Sequence, residues 1–216
     1  MPYDPQFEQM NNAYKDLERQ FVELSYVIPL KNKPDTYSPR LYNILQSACG
    51  QIENMSRMIC DKLEVLYEKP NFPNYYKALN SDKMLEKQVA YLVQNYQTIG
   101  PFKIESDVTP NWWKNYNDTK HDLPSGFLQG NLGNTIEALA ALYQLQRIAY
   151  FVQYDPDPRR LLRQEKWNVS GVADARDPLT RQLKSFEPQG MIHSVIFTSL
   201  TFYVSEESQE PVINYG

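Results

Sequence analysis

His121 is the residue best suited to acid–base chemistry in this sequence, because an imidazole titrates near neutrality and can take or give a proton. It closes the run NWWKNYNDTKH, and its neighbours are of useful types. Asn117 lies one helical turn earlier and can orient the imidazole or a bound phosphate. Lys120 adjoins it and can stabilise an oxyanion or phosphate, and Lys114 offers a second cation on the same run. The alternative is a structural histidine bonded near a helix end. Trp112 and Trp113 can stack a base between aromatic faces, or can be core with their indole nitrogens tied to neighbours. Arg159, Arg160 and Arg163, with Lys166, fall on about two turns and can grip phosphates, or can form a solvated helical face around Glu165. His193 sits in an apolar run and reads as core.

Composition removes several classes of function. There is no glycine-rich dinucleotide or phosphate loop, no HExxH, no GxSxG and no paired Cys/His ligand set, so neither cofactor nor metal is expected. Cys49 and Cys60 are 11 residues apart on one predicted helix, roughly 16 Å along its axis, too far to bridge. They read as buried free thiols. A net charge of -4 argues against broad attraction to nucleic acid, which leaves only a local basic site for RNA or a nucleotide. No run approaches the roughly 18 apolar residues of a membrane span, and no cationic leader precedes an apolar stretch, so the expectation is a cytoplasmic protein.

Periodicity supplies the elements that must carry these residues. Phe7, Met10, Tyr14, Leu17, Phe21 and Leu24 form a helical stripe that Asp4 and Pro5 can start and that must end before Pro29. Ser38-Pro39 starts a second and longer helix, with a stripe from Leu41 to Leu66 reaching about Tyr67 and Glu53 and Arg57 one turn apart on its flank. Residues 68–80 read as loop with one helical turn at most, and 81–92 as helix, although Val89, Tyr91 and Val93 alternate as a strand would. Residues 98–109 read as loop. Thr109-Pro110 starts a short helix through Trp112, Trp113 and Tyr116 to His121. A further helix, beginning at Asn131 or Asn134, is apolar on two faces through Val152 and must be central. The fold expected is mostly α, an antiparallel helical bundle over residues 1–155, with an appendage over 156–216 whose run 191–204 reads as strand or buried helix.

The runs SPRLYNILQSACGQIENM, PNWWKNYNDTKH and GFLQGNLGNTIEALAALYQL resemble small bacterial proteins related to the HEPN superfamily, over roughly residues 15–153. The resemblance implies an up-down four-helix bundle that often dimerises. Many members are metal-independent endoribonucleases of toxin–antitoxin or phage-defence systems, and others are non-catalytic partners. The family motif is an arginine, a polar residue, three variable residues and a histidine. With His121 as the histidine, Asn117 takes the polar position and Tyr116 stands where the arginine should be. In the nuclease reading, His121 is general acid or base while an RNA 2′-hydroxyl attacks phosphate, and Lys120 or Lys114 replaces the arginine charge. Lysine lacks the bidentate fork. That loss and the acidic chain place a non-catalytic module, binding a protein or nucleotide as a homodimer, ahead of the nuclease. A structural role in assembly, through a Tyr-rich surface and residues 156–216, comes third.

Overall fold

The computed structural model describes residues 5–31, 33–80, 84–86, 88–92, 94, 97–104, 108–121, 126–154, 194, 196–199, 201–204 and 211–214; at 121, 154, 198, 199, 201–204 and 211–214 it describes the backbone. The chain is mostly α-helical. Helix α1 (Pro5–Ser25) buries Phe7, Tyr14, Leu17, Phe21 and Leu24, the stripe expected of it. The proposed cap Asp4 lies outside the described residues. Helix α2 (Pro39–Leu63) begins with Ser38 Oγ accepting from the Leu41 amide at 3.1 Å. It stops four residues before the expected end because Glu64 turns into the left-handed region at φ 54°, and the Val65 amide bonds back to the Cys60 carbonyl.

Residues 68–80 are more helical than their prolines suggest. Asn71 caps α3 (Phe72–Leu79), and Pro73 falls in its first turn, where a missing amide costs nothing. The helix expected over 81–92 is replaced at its end by strand β1 (Ala90–Leu92), buried along its length and paired antiparallel with β2 (Gln97–Ile99). The alternation of Val89, Tyr91 and Val93 was therefore the stronger signal. On the other edge of β1 lies β3 (Phe197–Ser199), giving the order β2-β1-β3. Within the run 191–204, residues 197–199 and 201–204 are thus strand, and β4 (Thr201–Val204) pairs antiparallel with β5 (Pro211–Asn214). The boundary at 155/156 falls outside the described residues. Beyond it, Ile196 and Phe197 return to the same core as the helices.

Helix α4 (Asn111–His121) and a short 3-10 helix (Phe127–Gln129) lead into α5 (Leu132–Tyr154). Asn131, not Asn134, caps α5, its Oδ1 accepting from the Asn134 amide at 2.9 Å. The amides of Leu132 and Gly133 donate to the carbonyls of Thr36 and Pro34 at 2.7 and 2.8 Å, so the α1–α2 loop also closes the start of α5.

Ring contacts fix the directions. Phe7 meets Tyr150 and Tyr14 meets Tyr143, so α1 runs antiparallel to α5. Glu23 near the end of α1 pairs with Arg40 at the start of α2, so these two are antiparallel as well. The four longer helices therefore alternate along the chain, while α2 and α5, both antiparallel to α1, run parallel. Thr135 Oγ1 donates to the Leu41 carbonyl at 3.3 Å where they begin, and these two share the largest interface. Ala48 and Cys49 in α2, with Ala138, Ala140 and Ala141 in α5, are fully buried, and such small side chains permit a close pair.

A buried carboxylate fastens the C-terminal strand to α1. Glu18 accepts hydrogen bonds from Tyr14 Oη at 3.3 Å, from Ser194 Oγ and from the Ile196 amide at 3.3 Å. Ser194 Oγ in turn accepts from the Phe197 amide at 2.7 Å, closing a turn that points β3 at β1. Burial pushes the Tyr14 hydroxyl well above its ordinary pKa, and the Glu18 charge adds to this.

Two substitutions test this packing. A Cβ at Gly50, midway along α2, would meet nothing within 4 Å. Gly50→Ala should stabilise the protein by about 0.5–1 kcal/mol, read as a higher denaturant midpoint at unchanged slope. Gln146, fully buried in α5, has neither amide atom bonded among the described residues. Gln146→Met should leave stability unchanged or raise it by about 1–3 kcal/mol, and a clear fall in melting temperature would show the amide to be partnered.

Candidate functional site

Helix α4 carries most of the residues singled out for chemistry, and its placement decides what each can do. Its first turn packs on α3. Phe72 lies tilted against both indoles, 5.7 Å from Trp112 and 4.2 Å from Trp113 between ring centres. Its last turn meets α2, where Gln46 Nε2 donates to Thr119 Oγ1, and Thr119 Oγ1 donates to the Tyr116 carbonyl at 2.6 Å. Helix α4 thus runs antiparallel to α2, with its C-terminal end close to the starts of α2 and α5.

Trp112 and Trp113 are core and present no face on which a base can stack. Trp112 donates Nε1 to the Pro101 carbonyl at 2.6 Å, and Tyr76 donates to the Phe102 carbonyl at 2.8 Å, so two aromatic donors strap the segment after β2. Trp113 Nε1 is buried without a partner among the described residues. Of the two readings open to this pair, burial favours core over a stacking platform. Large aromatic surface at the junction of α2, α3 and α4 is worth more out of water than in it.

Tyr116 is 5% exposed, and Lys120 Nζ lies 4.1 Å from its ring centre and 6.0 Å from that of Trp113. Their spacing of four places them one turn apart, so the ammonium folds back over the ring in a cation–π contact. Burial raises the Tyr116 hydroxyl above its ordinary pKa, with Lys120 pulling the other way. Lys114 and Lys120 are exposed, and Asn117 is half-buried. The backbone of His121 ends α4, while its side chain lies outside what the structure describes. Asn117, Lys120 and His121 therefore share the last two turns of one helix. The cluster Arg159, Arg160, Arg163 and Lys166, and His193, lie outside the described residues.

Sequence reasoning missed the polar residues that anchor this region. Asn115 Nδ2 donates to Asn134 Oδ1 at 2.9 Å, and Asn134 Nδ2 donates to the Gln129 carbonyl at 2.8 Å. One asparagine amide thereby joins α4, the 3-10 helix and α5. Asn134 reads in sequence as a cap, and nothing local signals the bridge to Asn115. Among the described residues no group of three or more His, Cys, Asp or Glu is placed to hold a metal ion. No helix among them is long and apolar enough to cross a membrane.

Both cysteines are buried and unbridged. Burial pushes the Cys60 thiol up to about 12 and that of Cys49 well above its ordinary value, the latter against an opposing pull from Lys120. Searches against protein-family models, curated proteins and solved structures return no match. A thiol reagent at pH 8 should leave both cysteines of the folded protein unmodified over minutes and modify both in denaturant, as absorbance of the released chromophore would show. Prompt modification of the native protein would contradict the burial.

Proposed function

We propose that the chain is a HEPN-like interaction module without catalytic activity, acting as a cytoplasmic homodimer in a bacterial toxin–antitoxin or phage-defence setting. Tyr116 carries the reading. It holds the position of the family arginine, and here that position is a buried phenol under the Lys120 ammonium. A buried phenol offers no guanidinium fork to a scissile phosphate, and Lys120 supplies a point charge already engaged with a ring. Other polar groups on the same helix support the reading, because Asn115 and Thr119 are spent on joining helices. The directions of α1, α2, α4 and α5 alternate as in the up-down bundle that the resemblance implies, while the largest contact joins the parallel α2 and α5. Asn117, Lys120 and His121 then buttress the turn between α4 and α5.

A cleavage assay on total RNA in EDTA, with wild type and His121→Ala matched by circular dichroism, tests the proposal. The expected result is intact RNA with both proteins and a lower melting temperature for the variant. Cleavage by the wild type alone would overturn the reading and make His121 the acid–base residue of a metal-independent endoribonuclease.

A further inference from the structure

The described residues expose six large hydrophobic side chains, and four of them stand at one end of the bundle. Tyr26 and Val27, in the turn after α1, are 81% and 75% exposed, and Tyr37 and Leu128 are each 52% exposed. Three contacts bring them to a common end. The Glu23–Arg40 pair joins the end of α1 to the start of α2, Tyr37 bridges to Asn131 before α5, and the Tyr37 ring meets that of Phe127 edge-on at 6.1 Å, beside Leu128. Leu66 and Val108, the other two, follow α2 and precede α4 at the opposite end. Most other large apolar side chains among the described residues are buried, so apolar surface at this end offers a contact for another molecule.

Charge narrows the kind of molecule. The loop exposes Lys31 and Lys33 against Asp35, and Arg40 beside it is paired with Glu23, which leaves one positive charge in excess on a chain of net charge -4. Lys33 and Tyr37, with Pro34, Asp35 and Thr36 between them, line an open cleft of about 510 Å³. We propose that this end of the bundle, formed by the α1–α2 loop and the 3-10 helix, docks an acidic segment of a partner protein that carries apolar anchor residues. Val27 and Leu128 are aliphatic and cannot stack bases, so the face suits Leu or Phe anchors, flanked by carboxylates that meet Lys31 and Lys33, better than a nucleic acid. The 3-10 helix of this face packs against the end of α4, but the face includes none of Asn117, Lys120 and His121, and its variants leave those residues in place, so the proposal is tested apart from nuclease activity at His121.

Panning a random peptide library displayed on phage against the full chain reads the partner chemistry directly. The expected peptides are rich in Asp or Glu with interspersed Leu, Phe or Met. As synthetic peptides they should lose roughly tenfold or more in affinity toward Val27→Ser/Leu128→Ser and, separately, toward Lys31→Glu/Lys33→Glu. All four positions are exposed, and unchanged circular dichroism would verify folding. Leu66→Ser, at the far end, should bind as wild type does. Failure to recover any peptide that distinguishes wild type from both variants would overturn the proposal, as would recovery of peptides without acidic residues. So would binding of a uridine-rich single-stranded RNA that the same two variants weaken, which assigns the face to nucleic acid.

Discussion

Helices α2 and α5 begin at the same end of the bundle, so their peptide dipoles lie side by side with like ends together. That arrangement is unfavourable by itself, and the two antiparallel neighbours, α1 and α4, offset it. What holds the parallel pair is contact. Its interface is the largest in the molecule, and the small residues Ala48, Cys49, Ala138, Ala140 and Ala141 let the backbones approach. Everything else hangs on this pair. Helix α1 lays Phe7 and Tyr14 against Tyr150 and Tyr143 of α5, α4 ties Thr119 to α2 and Asn115 to α5, and Gln144 of α5 donates to the Val89 carbonyl beside β1.

The loop from α1 to α2 has two sides with different duties. Its backbone faces inward, where the carbonyls of Pro34 and Thr36 satisfy the first amides of α5. Of its side chains, Ile28 and Leu30 pack against the core, while Lys31, Lys33 and Tyr37 are presented to solvent. A loop so fastened loses little freedom when a partner arrives, and that loss is one of the main costs of association. Two prolines, Pro29 and Pro34, restrict it further.

Local signals carried the long helices. The stripe from Phe7 to Leu24, the Ser38-Pro39 start and the two apolar faces of α5 all depend on residues within a turn or two of each other, and each is present where the sequence places it. The stop at Glu64 was not legible, because a glutamate in the left-handed region is held by the fold around it and not by its own preference. The α3 start was legible in principle, since Asn71-Phe72-Pro73 is a cap followed by an early proline, but two prolines in a short stretch read more simply as a loop. Strand β1 pairs nearby with β2, but its other partner, β3, lies over a hundred residues away in sequence. The same distance hid Glu18, which looks like one more surface acid beside Leu17 until Ser194 and the Ile196 amide meet it. At α4 the residue types were right and their orientation was not available: only packing decides that the two indoles point inward while Lys120 folds over Tyr116.

The contact between Glu18 and the Ile196 amide spans 178 positions, nearly the length of the chain. During synthesis α1 emerges from the ribosome well before its partner segment. The helices must therefore assemble while Tyr14, Glu18 and Tyr143 still face water where Ser194 and Phe197 will later cover them. Closing so long a loop is entropically costly, and the cost is met only once the surface that receives the strand has already formed. The helical bundle thus supplies the surface that β3 needs before it can add to β1.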